Sequence, residues 1–330
     1  MFKKLIFAAT LLAFCVVILG AFVRLSDAGL GCPDWPGCYG QLSPAHAAEE
    51  IAQAQAAHPT GPVSAAKAWK EMLHRYFASS LGLLIVIIGV LAWRRADTTH
   101  QATQQDRGLP TFLIAFVILQ GLFGMWTVTL KLTPWVVTTH LLGGMTTFAL
   151  LVWLLQRQCR LKPMAQRART KTHALIALAA VFVQIALGGW VSSNYAALAC
   201  LDFPTCHGAW WPAMDFSQAF QVFRPLGMTA QGDYLSLNAL TAIHWMHRLG
   251  ALLILIVVGW LALRLVREPN LKKVGIALGT LLIAQICLGI ANVLLHLPLA
   301  IAVAHNGVAA LLLATLTVLN FKLNKAPVGA

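Results

Sequence analysis

Eight apolar runs, each long enough to cross a lipid bilayer, dominate this sequence. About 20 apolar residues span the hydrocarbon core as a helix, and a chain in lipid must satisfy its backbone hydrogen bonds internally. The runs are approximately 5–23, 73–93, 110–130, 136–156, 173–191, 241–263, 274–295 and 299–321. Of the 330 residues 58% are hydrophobic and only 11% are charged. The sequence therefore predicts an all-α integral membrane protein with eight transmembrane helices.

The basic residues predict how these helices are oriented. Most of the 24 Lys and Arg residues lie at the start of the chain and after the second, fourth, sixth and eighth runs. By the positive-inside rule both termini are cytoplasmic, and the long loops 24–72 and 192–240 face outward. The first run is longer than the roughly 7–15 residues of a signal-peptide core, so we interpret it as a retained span.

The same composition favours one kind of membrane and excludes one class of partner. The N-terminus lacks the Arg- and Ser-rich composition of an organelle transit peptide, which favours a bacterial inner membrane with periplasmic outer loops. The net charge of +13 is explained by orientation in a bilayer. We therefore expect no nucleic-acid partner, because a basic patch for nucleic acid needs a soluble face.

The chain is an internal duplication. The segment 19–38 matches 187–206 at a constant offset, and the later positions of the two halves also correspond. The matched pairs are His74 and His247, Arg75 and Arg248, Gln120 and Gln285, Gly124 and Gly289, and His140 and His305. Four spans return the chain to the side of the membrane on which it began, so both halves enter the membrane in the same direction. The halves are therefore predicted to be parallel-repeat four-helix bundles. The expected domains are 1–156 and 173–330, joined by a cytoplasmic linker, 157–172.

Two close cysteine pairs lie in the outward loops. Cys32 and Cys38 enclose five residues, as do Cys200 and Cys206. Disulfides persist on the oxidising side of a membrane, so two intraloop disulfides are predicted. A metal site and a redox role are the alternatives.

Four histidines head every second span. His74, His140, His247 and His305 lie about one to two turns below the outer surface, two in each half. The cores of helical bundles commonly hold cofactors, and two axial imidazoles on facing helices suit a haem iron. Two imidazoles are too few ligands to close a zinc site. Small residues nearby could admit a flat macrocycle, or could serve helix packing; they are Gly143, Gly144, Gly250 and Gly307.

The neighbours of these histidines suggest further roles. Arg75 and Arg248 could pair with haem propionates, or extend to lipid headgroups. On the inner side His100 and His173 are single, so no second pair predicts electron transfer across the membrane. Both expected haem sites lie near the outer surface, which favours chemistry on one haem assisted by the other.

The halves differ three residues before the first histidine. Glu71 shares a helix face with His74, whereas His244 stands in the equivalent place before His247. A carboxylate there could act as a base or stabilise a developing cation. It could also be an acid favoured by a helix N-terminus. The asymmetry predicts that one half carries out the reaction and that the other half assists it.

Together, these features resemble the haem A synthases over essentially the whole chain. The resemblance implies oxidation of a ring methyl of haem O to a formyl group, by two successive hydroxylations and loss of water, with water as the oxygen source. It implies that His247 and His305 bind a permanent haem b and that His74 and His140 flank the substrate haem. Glu71 would assist the oxidation, for example by stabilising a carbocation that water attacks.

The resemblance also implies partners and leaves alternatives. A haem O synthase would supply the substrate, a membrane acceptor would take the electrons, and a homo-oligomer is possible. The first cysteine pair is linked to the reaction in this family. His244 could hydrogen-bond a propionate or replace His247 as ligand. The alternative functions are a di-haem b, quinol-oxidising electron-transfer subunit and a non-catalytic haem carrier.

Overall fold

The computed structural model describes residues 1–98, 104–159 and 168–324, and within these ranges its regular elements are helices. The α-helices are α1 (Phe2–Leu25), α2 (Ala48–Ala57), α3 (Ala65–Thr98), α4 (Gln104–Thr129), α5 (Pro134–Arg157), α6 (Ala168–Ser193), α7 (Phe216–Ala219), α8 (Leu237–Val266), α9 (Lys272–Leu294) and α10 (Leu299–Asn324). A 3₁₀ turn occupies Ala196–Leu198. Of these described helices, all except α2 and α7 are long and apolar enough to cross a membrane, which makes eight. The predicted all-α membrane fold is confirmed.

Two helices begin earlier than hydropathy predicts. α3 begins at Ala65 instead of 73. Its first turns carry the charged residues Lys67, Lys70 and Glu71, so they lie outside the apolar run. α8 begins at Leu237 instead of 241, where the Ser236 side chain accepts a hydrogen bond from the backbone of Ala239 and caps the helix. Glu71 thus lies beyond the first turn of its helix, where a terminal dipole has little effect.

The chain divides into two compact units, Met1–Leu155 and Gln156–Ala330. In the first unit α3 packs between α1 and α4. α5 joins α4 through Gln120, which donates to the His140 carbonyl at 2.6 Å. It joins α1 through the rings of Phe14 and Phe148, whose centroids are 5.7 Å apart. These contacts fit a ring of four helices in which α3 lies opposite α5.

The second unit has the same arrangement. α8 packs on α6 and α9, and α10 packs on α9 and α6. The buried Asn320 of α10 donates to the Ala174 carbonyl of α6 at 2.9 Å, which closes the ring. α8 therefore lies opposite α10. The helix contacts of both units fit the predicted four-helix bundles.

The outer connection before α5 is repeated before α10. Lys131 and Leu132 have φ values of 49° and 57°, and His296 and Leu297 have 58° and 60°. Two successive non-glycine residues in the left-handed region are uncommon. Each turn is closed by a backbone bond to the preceding helix, from Leu132 to Thr127 at 2.8 Å and from Leu297 to Asn292 at 2.7 Å.

Candidate functional site

The two histidines of the first unit point into its helical ring. His74 lies on α3 and His140 on the opposite helix, α5. A Cβ atom added at Gly20 of α1 would lie 3.0 Å from Cε1 of His74, and one at Gly124 of α4 would lie 3.3 Å from Cε1 of His140. Each imidazole thus rests against the backbone of a flanking helix. The two rings thus face inward from opposite helices.

The second unit repeats this geometry on α8 and α10. A Cβ at Gly188 would lie 3.1 Å from Cε1 of His247, and one at Gly289 would lie 3.2 Å from Cε1 of His305. The structure therefore brings the four predicted histidines together as two pairs, one in each unit.

Unpaired nitrogen atoms at these histidines indicate what the pairs can hold. Nδ1 of His74, His140 and His305 is buried and has no hydrogen-bond partner among the described residues. In the fourth ring, Nδ1 of His247 lies 3.1 Å from Nε2 of Gln184. A buried polar atom without a partner is costly, and imidazole nitrogen is a common metal ligand. Paired imidazoles on glycine-lined helices fit a flat iron macrocycle.

Glycines and glutamines near the histidines include residues with no predicted role. Gly143 and Gly250 were candidates to admit the macrocycle or to serve helix packing. A Cβ at Gly143 would lie 2.0 Å from Oε1 of Gln120, and one at Gly250 would lie 2.1 Å from Oε1 of Gln184. Both glycines therefore make room for a glutamine of the neighbouring helix, which favours the packing role. The glycines that face the histidines had no predicted role, although each pair of them lies at corresponding positions of the two halves.

Glu71 joins the head of α3 to the first disulfide loop. Its side chain is only 4% exposed. Oε2 accepts the backbone N–H of Cys32 at 2.9 Å, and Oε1 accepts a hydrogen bond from Nη2 of Arg75. Nη1 of Arg75 donates in turn to the carbonyls of Asp34 at 2.7 Å and Gly37 at 2.6 Å. Glu71 and Arg75 therefore form a clamp, here called the Glu71 clamp, that holds the loop above His74.

The second unit has an equivalent His244 clamp. Nδ1 of His244 faces the backbone N–H of Cys200 at 3.4 Å, and its Nε2 accepts from Nε of Arg248 at 3.2 Å. Arg248 also donates to the carbonyls of Thr205 at 2.9 Å and Cys200 at 3.1 Å. Because both its nitrogens face the loop and Arg248, His244 is not placed as a substitute for His247. The contact of Arg75 and Arg248 with propionates stays a prediction.

Both predicted disulfides are present. Cys32 is bonded to Cys38 and Cys200 to Cys206, with Cα–Cα distances of 4.9 and 5.0 Å. Each loop contains a cis proline, Pro36 in the first and Pro204 in the second. The disulfide alternative is thus confirmed over a metal site for these cysteines.

An aspartate closes each disulfide loop from within. The carboxylate of Asp34 accepts the N–H groups of Tyr39 and Gly40, both at 2.7 Å. Asp202 accepts those of His207 at 2.7 Å and Gly208 at 3.0 Å. The hydroxyl of Thr205 and these backbone donors hold the pKa of Asp202 well below its ordinary value. The duplication therefore extends to individual hydrogen bonds of the loops.

Of the two single histidines on the inner side, only His173 lies among the described residues. His100 lies outside the described residues. Nδ1 of His173, near the start of α6, lies 3.2 Å from Nη1 of Arg264. Its ring packs edge-on against Trp260 at 4.5 Å between centroids. Its partners are therefore an arginine and a tryptophan.

These features define a class of integral membrane protein in which each helical unit buries an imidazole pair beneath a disulfide loop. Residues 3–317 match the family model described as Cytochrome oxidase assembly protein, COX15-CtaA. The chain belongs to this family, and the resemblance to haem A synthases is confirmed.

Three relatives illustrate the similarity. The haem A synthase of Shewanella oneidensis is 44% identical over 309 residues, which cover 93% of this chain and 92% of that protein. The haem A synthase of Rhizorhabdus wittichii is 28% identical over 337 residues, covering 96% and 92%. That of Halalkalibacterium halodurans is 26% identical over 311 residues, covering 91% and 90%. The similarity therefore extends over nearly the full length of each protein.

Proposed function

We propose that this protein is a haem A synthase, which oxidises the ring methyl of haem O to a formyl group. Family membership and the names of its relatives support this function. The observation that carries it is the pair of buried imidazoles in each unit, with a buried carboxylate above only one pair. This arrangement provides one reacting site and one assisting site.

The proposed division of labour follows the two units. His74 and His140 flank the substrate haem in domain 1–156, and His247 and His305 hold haem b in domain 173–330, with 157–172 as the linker. The buried unpaired nitrogens and the glycine backbones support this assignment. Haem b supplies a one-electron iron couple when bound. The two imidazole pairs fix where each macrocycle lies.

The reaction must release electrons as well as add oxygen. Converting –CH₃ to –CH₂OH with water as the oxygen source releases two electrons and two protons. The second hydroxylation releases the same number again and gives a geminal diol, which loses water to leave –CHO. The net reaction takes up one water molecule and yields four electrons and four protons. A membrane electron acceptor must take those electrons.

Glu71 is the proposed catalytic residue. Its carboxylate lies about one turn above His74 and is held by the Cys32 backbone and Arg75. A fixed negative charge in a buried site stabilises positive charge developing on the methyl carbon. The same carboxylate can accept a proton from the attacking water. The Glu71 clamp orients the group for both roles.

The proposed location is a bacterial inner membrane, with both termini in the cytoplasm and the large loops in the periplasm. The distribution of Lys and Arg supports this orientation. A reporter enzyme that is active only in the periplasm tests it, fused after Ala57 or within the segment 157–172. Activity is expected only from the first fusion, and the reverse pattern would overturn the orientation.

The proposed partners follow from the substrate. Haem O carries a long apolar tail, so transfer directly from a haem O synthase within the membrane avoids exposure to water. A homo-oligomer is also proposed. Cross-linking in membranes, followed by mass determination, should yield a complex with that synthase and a multiple of this chain.

Pigment extraction tests the enzyme. Cells that make haem O and lack another haem A synthase should accumulate haem A when they express this chain. An electron-transfer subunit or a haem carrier would leave haem O unchanged. Unchanged haem O in cells whose purified protein carries haem b would remove the proposed function.

A further inference from the structure

The two loop clamps differ in net charge. In the Glu71 clamp the carboxylate faces the guanidinium of Arg75, so the pair is neutral. In the His244 clamp an imidazole occupies the carboxylate position, and it brings no negative charge to Arg248. In both clamps the arginine also donates to backbone carbonyls of the disulfide loop. One buried carboxylate is therefore missing from the second unit.

Other charges do not restore the balance. Asp202 is the acid that Arg248 senses electrostatically, but Asp34 occupies the same place in the first loop. Arg224 adds a second cation, 3% exposed, whose partners are the side chain of Asn194 and the carbonyls of Gln221 and Met228. Neither Arg224 nor Arg248 forms an ion pair with any described residue. Solvent screens exposed charges more than the buried Arg224 and the partly buried Arg248.

Arg248, whose clamp contains no carboxylate, lies next to a histidine of the second imidazole pair. Arg248 directly follows His247 in α8. The guanidinium of Arg224 lies 5.7 Å from the ring centroid of Trp190. Trp190 follows Gly188, the glycine against which His247 packs, by two residues. Arg248 is thus adjacent to His247 in the helix, and Arg224 contacts a tryptophan two residues from the glycine on which His247 packs.

We propose that His244 sets the reduction potential of the second site, because it gives Arg248 no carboxylate within its clamp and so raises the midpoint potential of the haem held by His247 and His305. The inference rests on the proposed function for the identity of that haem. Reduction of ferric to ferrous iron removes one positive charge, so a nearby unbalanced cation favours the reduced form. His244 is a positioning residue that acts through Arg248.

The proposal explains why the halves differ at this one place. The first unit carries an acid where substrate oxidation develops positive charge. The second unit omits that acid, and its haem accepts an electron more readily as a result. A single substitution in a duplicated clamp thus gives two similar sites different electrostatic tasks.

Potentiometric titration of the purified haem b protein tests the proposal. H244E should lower the Fe(II)/Fe(III) ratio at a fixed poise about tenfold, which is about 59 mV for a one-electron couple. H244Q, similar in size to H244E but uncharged, should titrate near the wild type. Equal midpoint potentials for H244E and H244Q would overturn the proposal.

A second pair of variants decides the question if H244E does not retain haem b. R248Q removes the cation and should lower the midpoint potential, whereas R248K keeps the charge and should not. Equal potentials for R248Q and R248K would again overturn the proposal. Pigment extraction separates this result from the proposed function. If haem A forms but the midpoint potential does not change in these variants, only this inference is wrong. If the midpoint potential changes but the wild-type protein forms no haem A, only the proposed enzymatic function is wrong.

Discussion

The backbone N–H of Cys32 donates to Oε2 of Glu71 at 2.9 Å, across 39 positions of the sequence. This bond makes the first cysteine of the outer loop and the proposed catalytic acid parts of one structure. The loop therefore helps to position the carboxylate above His74. Its disulfide and the acid should respond together to substitution.

Glu71→Gln should abolish haem A formation while haem b stays bound. The amide can still accept the Cys32 N–H, but it carries no charge for the oxidation, so haem A per protein should fall about 100-fold or more. Extraction of haems from purified protein measures the result. His244→Gln is the matched control in the other unit and should retain far more product. Normal haem A levels in Glu71→Gln would exclude the catalytic role.

His305→Ala should remove the low-spin spectrum of haem b. The substitution deletes one of the two imidazoles of the second unit, so the haem would lose one of its two proposed ligands. Absorbance and electron paramagnetic resonance spectra of the purified protein measure this. His58→Ala, at an exposed position after α2, is the control and should look like the wild type. An unchanged haem spectrum in His305→Ala would contradict the ligand assignment.

Gly289→Ala should weaken haem b retention. The new methyl group would lie 3.2 Å from Cε1 of His305, so the ring must move by a few tenths of an ångström. Overpacking of this kind costs about 1–3 kcal/mol, and the lower limit corresponds to about fivefold weaker retention. Gly279→Ala on the same helix is the control, because its nearest contact is 3.9 Å away. The haem-to-protein ratio after purification is the measurement, and equal ratios would show that the glycine is not needed.

Arg75→Lys should make the Cys32–Cys38 disulfide easier to reduce. Lysine cannot donate to Glu71, Asp34 and Gly37 from one planar fork. The loop should open more often, and alkylation after mild reductant should label Cys32 and Cys38 several-fold faster. Cys200–Cys206 in the same molecule is the internal control and should react at the wild-type rate. Equal labelling of both pairs would argue against the clamp.

Low pH should loosen the second loop through Asp202. Hydrogen bonds from the Thr205 hydroxyl and the backbone keep the pKa of Asp202 below its ordinary value in the folded protein. Its stabilising contribution is therefore complete above the unfolded pKa of about 4 and is lost as pH falls through the lower, folded pKa. A phosphine reductant that acts in acid should reduce Cys200–Cys206 faster at the lowest pH. Asp202→Asn should remove this dependence, and a wild-type rate that does not change with pH would contradict it.

Much of the fold and part of the site could be predicted from sequence, because their signals are local or repeated. Apolar runs mark the spans, and close cysteine pairs in outward loops mark the disulfides. Equal offsets align His74 with His247 and His140 with His305. These signals need no knowledge of how the helices are rotated.

The contacts across helices could not be predicted in the same way. That Gly20 faces His74, or that Glu71 reaches Cys32, depends on how each helix is rotated in its ring. Gln184 gave no repeat signal at all, because Val16 occupies its place in the first half. The early start of α3 was also missed, because hydropathy falls where charged residues begin while the helix continues.

The paired left-handed residues before α5 and α10 define where each of these helices begins relative to its histidine. A backbone hydrogen bond of Leu132 and of Leu297 ties each turn to the helix before it, and the next helix, α5 or α10, begins two residues later. His140 follows Leu132 by eight positions, and His305 follows Leu297 by eight positions. The two turns therefore start each helix from a fixed backbone bond at the same spacing from its imidazole in both halves of the chain.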